Sequence, residues 1–255
     1  MMLTPVERHG DYWLKRDDLY TRAGVRGGKA RSCGHIADQA VAAGIAGLVT
    51  AGHASSPQVE LVAAIGAAAG LQVRAHVPAS QHQGVQIHNA RALGAEIVEH
   101  RPAYTVVLDS RSRRDAAERG WLLVPFGMEC EQAVESTAAQ VENLPAEVRR
   151  LVVPVGSGMT LAGILTGLQR TGRSIEVIGV IVGSDPSRRL ARYAPLGWQS
   201  MTTLVKSTVA YSTHVMAEID GVTLDPVYEA KTVAYLQPDD ALWMVGIRGV
   251  DGGAA

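Results

Sequence analysis

The chain has 255 residues, 47% of them hydrophobic and 19% charged, with a net charge of −1. That balance describes a globular protein with a sizeable core. It lacks both the basic excess that nucleic acid or an anionic membrane would call for and any apolar run near the ~18 residues of a membrane span. The two cysteines, Cys33 and Cys130, lack metal-ligand spacing, and MMLTPVERHGDYWLKRDD has charges where a secretory leader needs an apolar core. The expectation is a reduced, cytoplasmic setting, with no nucleic-acid or membrane partner.

In chain order, strands and helices alternate. GLVTAG (47–52) reads as a strand and SPQVELVAAIGAAAGL (56–71) as an Ala-rich helix. QVRAHVP (72–78) is the next strand, followed by a helix over 83–94 that stops at Gly94. AEIVEHR (95–101) is a strand, 105–120 a helix, WLLVPF (121–126) a strand and 129–144 a helix. RLVVPVG (150–156) is a strand leading into a helix at 157–172, and IEVIGVIVG (175–183) is another strand. Beyond 183 the pattern weakens to a short helix near DPSRRLARYAPLGW, a helix over 225–236 with Pro226 in its first turn, and a last strand ALWMVGIRG (241–249). Near-continuous Val/Ile strands between helices imply an α/β fold of parallel sheets covered on both faces.

Four stretches carry chemistry. In VVPVGSGMTLAG (152–163) a strand runs through Gly156, Ser157 and Gly158 to Thr160 and a helix. Backbone amides, a helix N-terminus and two hydroxyls fit a phosphate, although the same pattern serves an ordinary strand–helix turn. Neither a Walker loop nor a dinucleotide fingerprint is present, because the Gly-Lys-Ser/Thr of the one and the spacing and acidic residue of the other are missing. In WLKRDDLYTRAGVRGGKARS (13–32), Lys29 follows Gly27 and Gly28, which permit a close approach, and precedes an Ala-rich helix. A lysine there suits either a solvated surface or a Schiff base. TAGHASSPQVE (50–60) places Ser55 and Ser56 before Pro57, which fits a serine N-cap, a carboxylate site, or both. In LDPVYEAKT (224–232), Tyr228 and Glu229 open the predicted helix and Lys231 is expected to be solvated. The eight histidines, His88 and His214 among them, show no ligand spacing, so no metal is expected.

Taken together and in this order, these pieces resemble the fold-type II pyridoxal-phosphate enzymes, the tryptophan synthase β-like superfamily. Within it, WLKRDDL, the glycine-flanked lysine, PFGMECEQAVES, GSGMTLAG and LDPVYEAK are most similar to the 1-aminocyclopropane-1-carboxylate deaminase and D-cysteine desulfhydrase group. The resemblance implies that Lys29 holds the aldehyde of pyridoxal 5'-phosphate as a Schiff base and that Gly156, Ser157, Gly158 and Thr160 bind its phosphate. It places Ser56 and Tyr228 beside the substrate, and Glu229 at the pyridine nitrogen, where a carboxylate keeps the ring protonated and strongly electron-withdrawing. It further implies a large cofactor-binding domain of residues 1–35 and 129–255, a small α/β domain of 36–128, the cofactor in the crevice between them, and a homodimer.

The departures matter too. Pro57 stands where the group has an asparagine touching the cofactor's ring hydroxyl, with His53 or Gln58 as substitutes. VGIRG, with Arg248, replaces the usual His-Thr-Gly-Gly-like ending. The expected activity is lyase or deaminase chemistry on a small amino acid or amine. The alternatives are an altered reaction, isomerase or transferase, on a larger amine-bearing substrate, and a non-catalytic binding protein of the same fold.

Overall fold

A computed structural model describes residues 2–54, 56–101 and 105–246. Ser55, the Arg248 segment and the tail therefore lie outside the described residues. The strands are β1 (Val6–His9), β2 (Tyr12–Arg16), β3 (Thr21–Arg22), β4 (Val25–Arg26), β5 (Gly47–Ala51), β6 (Gln72–Pro78), β7 (Glu96–His100), β8 (Leu122–Val124), β9 (Arg150–Val155), β10 (Glu176–Ile181), β11 (Thr202–Lys206), β12 (Glu218–Ile219), β13 (Val222–Thr223) and β14 (Ala241–Met244). Between them run the helices α1 (Gly28–Ala42), α2 (Pro57–Ala68), α3 (Val85–Ala92), α4 (Thr105–Arg119), α5 (Glu131–Ala138), α6 (Met159–Thr171) and α7 (Ser187–Tyr193). Among the described residues no helix is long and apolar enough to cross a membrane.

The chain forms two compact units, one from the described residues of Met1–Tyr20, Arg26–Gly28 and Ala133–Ala255, the other from Thr21–Val25 and Lys29–Gln132. The first unit is built on a six-stranded sheet in the order β1-β2-β14-β9-β10-β11. All its neighbouring strands are parallel except β1 with β2. Leu14, Val152, Ile178, Val180, Leu242 and Met244 form its buried cluster. Each such aliphatic side chain contributes roughly 1.5–3 kcal/mol by leaving water. The second unit holds the all-parallel sheet β7-β6-β5-β8. Its central strand β5 is buried along its whole length, as expected of a parallel strand covered on both faces. The α/β fold of parallel sheets read from the sequence is the fold observed.

Seven strands escaped the sequence reading: the two-residue strands β3, β4, β12 and β13, and three strands of the six-stranded sheet. The first-sheet strands β1 and β2 and the strand β11 are short and only partly buried, so they lack an unbroken apolar run. A second difference falls at 225–236, where the helix expected from the sequence is a 3-10 helix limited to Glu229–Tyr235. Asp225 is the reason: its Oδ1 accepts the backbone N–H groups of Val227 and Tyr228 at 2.8 and 2.9 Å and holds the chain in a turn first.

Candidate active site

In the first unit, the central strand β9 delivers the glycine loop. Its residues Leu151–Val155 are buried, Gly156 and Ser157 are half-buried, and α6 starts at Met159. Gly158 has φ +92°, a left-handed conformation that disfavours any residue with a side chain, and a Cβ there would lie 2.9 Å from Pro186 Cβ. The turn thus presents backbone rather than side chains. The first N–H groups of α6 have no partner within the helix, Ser157 Oγ accepts the Met159 N–H at 3.5 Å, and Thr160 stands half-buried in the first turn. A Cβ on Gly156 would come within 2.9 Å of Tyr228 Cε1, so the tyrosine ring lies against the loop.

Next to Tyr228 the chain buries a carboxyl group. Glu229 is fully buried, and its Oε1 accepts the N–H groups of Val245 and Gly246 at 2.5 and 3.2 Å. Its Oε2 is buried with no hydrogen-bond partner among the described residues. Burial and then the nearby Asp225 charge push the Glu229 carboxyl up to about 8, against the pull of the backbone N–H bonds. The strand end holding Glu229 explains the glycines before Lys29. Gly27 has φ +91°, and a Cβ there would meet Gly246 O at 2.5 Å and Val245 O at 2.8 Å. The Gly28 N–H donates to Val245 O at 3.4 Å. Two glycines therefore let the segment leading into α1 lie directly on the backbone that supports Glu229.

The WLKRDDL motif proves to be scaffold for the same sheet edge. Lys15 is fully buried and donates to Thr4 O, Gln140 Oε1 and Asn143 Oδ1. Asp17 accepts from Thr4 Oγ1 and from Trp243 Nε1. Asp18, paired with Arg16, packs so tightly on Gly246 that a Cβ there would fall 2.3 Å from Asp18 Cα.

Lys231 corrects an expectation. It is only 4% exposed rather than solvated, and its ammonium donates to Ala210 O and Tyr211 O at 2.8 and 2.9 Å. It thereby holds the segment carrying Tyr211, whose hydroxyl lies 3.2 Å from that of Tyr228. Nothing in the spacing of the sequence tied Tyr211 to Tyr228.

Lys29 and Ser56 stand in the second unit. Lys29 is half-buried in the first turn of α1, whose Ala30, Cys33, Ile36, Ala37 and Ala40 are buried. Ser56 occupies the N-cap of α2 with Pro57 at the first helical position, and its hydroxyl makes no capping bond. Gln58, one possible substitute for the missing asparagine, is otherwise committed. Its amide donates to Thr50 Oγ1 and Pro125 O, and its oxygen accepts the Gly127 N–H. His53, the other, is exposed with its ring edge-on to Phe126.

The first-unit residues fit the phosphate and ring nitrogen of pyridoxal phosphate. A bare glycine turn at a helix N-terminus suits a phosphate dianion, and an orphaned buried carboxyl oxygen suits a ring nitrogen that shares its proton.

Comparison with known proteins points the same way. The model of the family described as "Pyridoxal-phosphate dependent enzyme" matches residues 3–241. A 1-aminocyclopropane-1-carboxylate deaminase of Methylobacterium nodulans is 25% identical over 284 residues, covering 90% of this chain and 84% of its own length. Among solved structures, an ACC deaminase homologue aligns over 97% of this chain and 90% of its own, with a TM-score of 0.80 at 19% identity. Threonine deaminase isoform 2 of Solanum lycopersicum aligns over 98% of this chain and 80% of its own, with a TM-score of 0.67 at 16% identity. With a family match from residue 3 to residue 241 over a site of this construction, the chain belongs to the pyridoxal-phosphate dependent enzymes.

Proposed function

We propose that the protein is a lyase or deaminase of small amino acids, or of amines derived from them, with Lys29, Ser56 and Tyr228 as catalytic residues. The observation that carries this reading is the buried Glu229 carboxyl, whose unpartnered Oε2 lies one residue from the tyrosine that covers the glycine loop. When bound, pyridoxal phosphate supplies an electrophilic aldehyde and an electron-withdrawing ring. Gly156, Ser157, Gly158 and Thr160 bind the phosphate through backbone and hydroxyl donors. Glu229 holds a proton at the ring nitrogen. Lys29 would supply the amine for the aldehyde and would move a proton at the Cα of the substrate. Tyr228 and Ser56 orient the amino acid through their hydroxyls. In this reading the unit on the six-stranded sheet is the large cofactor-binding domain and the unit on the four-stranded sheet the small one. In this reading the enzyme is a homodimer, as the family resemblance implies, in the reduced, cytoplasmic setting that its sparse cysteines suggest.

The test is spectroscopic. Protein reconstituted with pyridoxal phosphate develops a visible absorbance band, and Lys29→Ala abolishes it. A band that survives in the variant, or none in the wild type, removes Lys29 from this role.

A second reading keeps the cofactor and changes the reaction to an isomerase or transferase acting on a larger amine-bearing substrate. The α2 N-terminus favours it. Pro57 offers no polar side chain, and the Gln58 amide is already bonded within its own unit. Turnover of 1-aminocyclopropane-1-carboxylate or D-cysteine at rates typical of dedicated enzymes, about 1–10³ s⁻¹, would dismiss it.

A further inference from the structure

In the second unit one buried amide joins three segments of the chain. Gln58, in the first turn of α2, is 6% exposed. Its two N–H bonds go to Thr50 Oγ1 at 3.1 Å and Pro125 O at 2.9 Å, and its Oε1 accepts the Gly127 N–H at 3.0 Å. The Thr50 hydroxyl gives its own proton to Val124 O at 2.9 Å, so toward Gln58 it can only accept. The amide therefore has one workable orientation. It ties the start of α2 to the ends of β5 and β8 and to the turn after β8. These are C-terminal ends of parallel neighbouring strands, where open α/β sheets bind ligands. The turn itself is strained. Gly127 and Met128 have φ +70° and +60°, and Met128 is a buried residue in a conformation that favours glycine. Such a turn persists only where its surroundings hold it, and the bond from Gly127 to Gln58 is one of the holds.

The segments joined by Gln58 carry groups open to a ligand. Ser56, two residues before it, makes no capping bond with its hydroxyl, which lies so close to Gly52 that a Cβ there would fall 2.8 Å from Ser56 Oγ. The Ser56 N–H donates to His53 O at 3.0 Å. The exposed His53 ring meets the Phe126 ring edge-on, 5.5 Å between centroids, and Phe126 directly precedes Gly127. We propose that Gln58 is a positioning residue for amino-acid binding: its amide holds Ser56 and the His53–Phe126 ring pair in one fixed arrangement, so that the substrate meets a surface already formed. This rests on the function proposed above and acts through Ser56 and the two rings. Without the amide, the Gly127 N–H loses its acceptor and the start of α2 loses its tie to the turn. The cost of ordering the two segments then falls on substrate binding. The phosphate loop and Glu229 belong to the other unit and share no bond with Gln58, so their hold on the cofactor does not depend on it.

The test separates amino-acid binding from cofactor binding. Full-length holoenzyme is titrated with the D and L forms of alanine and serine and with 1-aminocyclopropane-1-carboxylate, and displacement of the Lys29-dependent visible band gives a half-saturation concentration. In Gln58→Met, similar in length but unable to hydrogen-bond, the band forms at the wild-type cofactor concentration while half-saturation rises at least about tenfold. Amide hydrogen exchange quickens at residues 52–54 and 125–128 in the same variant. Gln58→Glu supplies the rescue and serves should the methionine variant misfold. A protonated carboxyl donates to Pro125 O and accepts the Gly127 N–H, whereas an ionised one cannot donate. Its half-saturation therefore lies near that of the wild type at low pH and climbs away from it as pH rises. A residue that only stabilised the fold would weaken cofactor and amino acid together. Unchanged half-saturation in the variants, or an equal loss of cofactor affinity, overturns the proposal. A wild type without a Lys29-dependent band, or with a band that none of these amino acids moves, refutes the proposed function. A responsive wild type matched by both variants refutes only the role of Gln58.

Discussion

Replacing Glu229 by glutamine makes the cofactor-free protein more stable at high pH. The Glu229 carboxyl is fully buried and pushed from 4.5 up to about 8. Between those values the folded chain keeps a proton that the unfolded chain releases, so stability falls as pH rises through that window. At 1.36 kcal/mol for each tenfold change in proton affinity, the loss is on the order of 3 kcal/mol at pH 7 and about 5 kcal/mol above pH 8. Glutamine cannot ionise and does not suffer this loss. Its oxygen still accepts the Val245 and Gly246 N–H groups, and its amide leaves N–H bonds unpaired at Oε2. That costs about 1–3 kcal/mol, but the protonated carboxyl of the wild type bears a similar cost. Urea unfolding of both proteins at about pH 5, 7 and 9 checks the sign. The two should be close near pH 5, with the variant ahead by several kcal/mol at pH 9. A gap independent of pH, or a variant less stable at pH 9, would refute the reasoning.

Asp115 gives the opposite slope. Burial works to raise its carboxyl, but hydrogen bonds with His76, Arg74 and Arg119 outweigh it and hold the group at about 2. Its stabilisation is present above the ordinary carboxylate range and lost as pH falls toward 2. Asp115→Asn should therefore be less stable by roughly 1–2 kcal/mol at pH 6 and equal to wild type near pH 2, as read by thermal unfolding. In Lys231→Met the carbonyls of Ala210 and Tyr211 lose their shared ammonium donor. The expected cost is about 1–3 kcal/mol, with faster amide hydrogen exchange across residues 207–217. Unchanged exchange there would show that Lys231 does not hold the segment.

Most of the scaffold and part of the site were legible before any coordinates. Val/Ile runs such as RLVVPV and GLVTA announce parallel strands because a strand covered on both faces must be apolar along its length. Gly156-Ser157-Gly158 after such a strand is readable as an anion turn because backbone permissiveness and helix polarity are local properties. The helix at 225–236 was misread because one side-chain oxygen, that of Asp225, competes for the N–H groups that a helix would use.

What the sequence by itself determined is therefore what short-range periodicity and turn chemistry encode: the alternation of strands and helices, and a glycine turn at the start of a helix. Only the tertiary structure decided which side chains are shut away from water and what they touch. Gly27 is tied to Gly246, Glu229 to the amides of Val245 and Gly246, and Lys231 to the carbonyls beneath Tyr211 by contacts between segments far apart in the chain. Burial and an unpaired oxygen arise only when such segments meet. Burial, against the pull of those amides, turns Glu229 from an ordinary acid into one that keeps its proton near neutral pH.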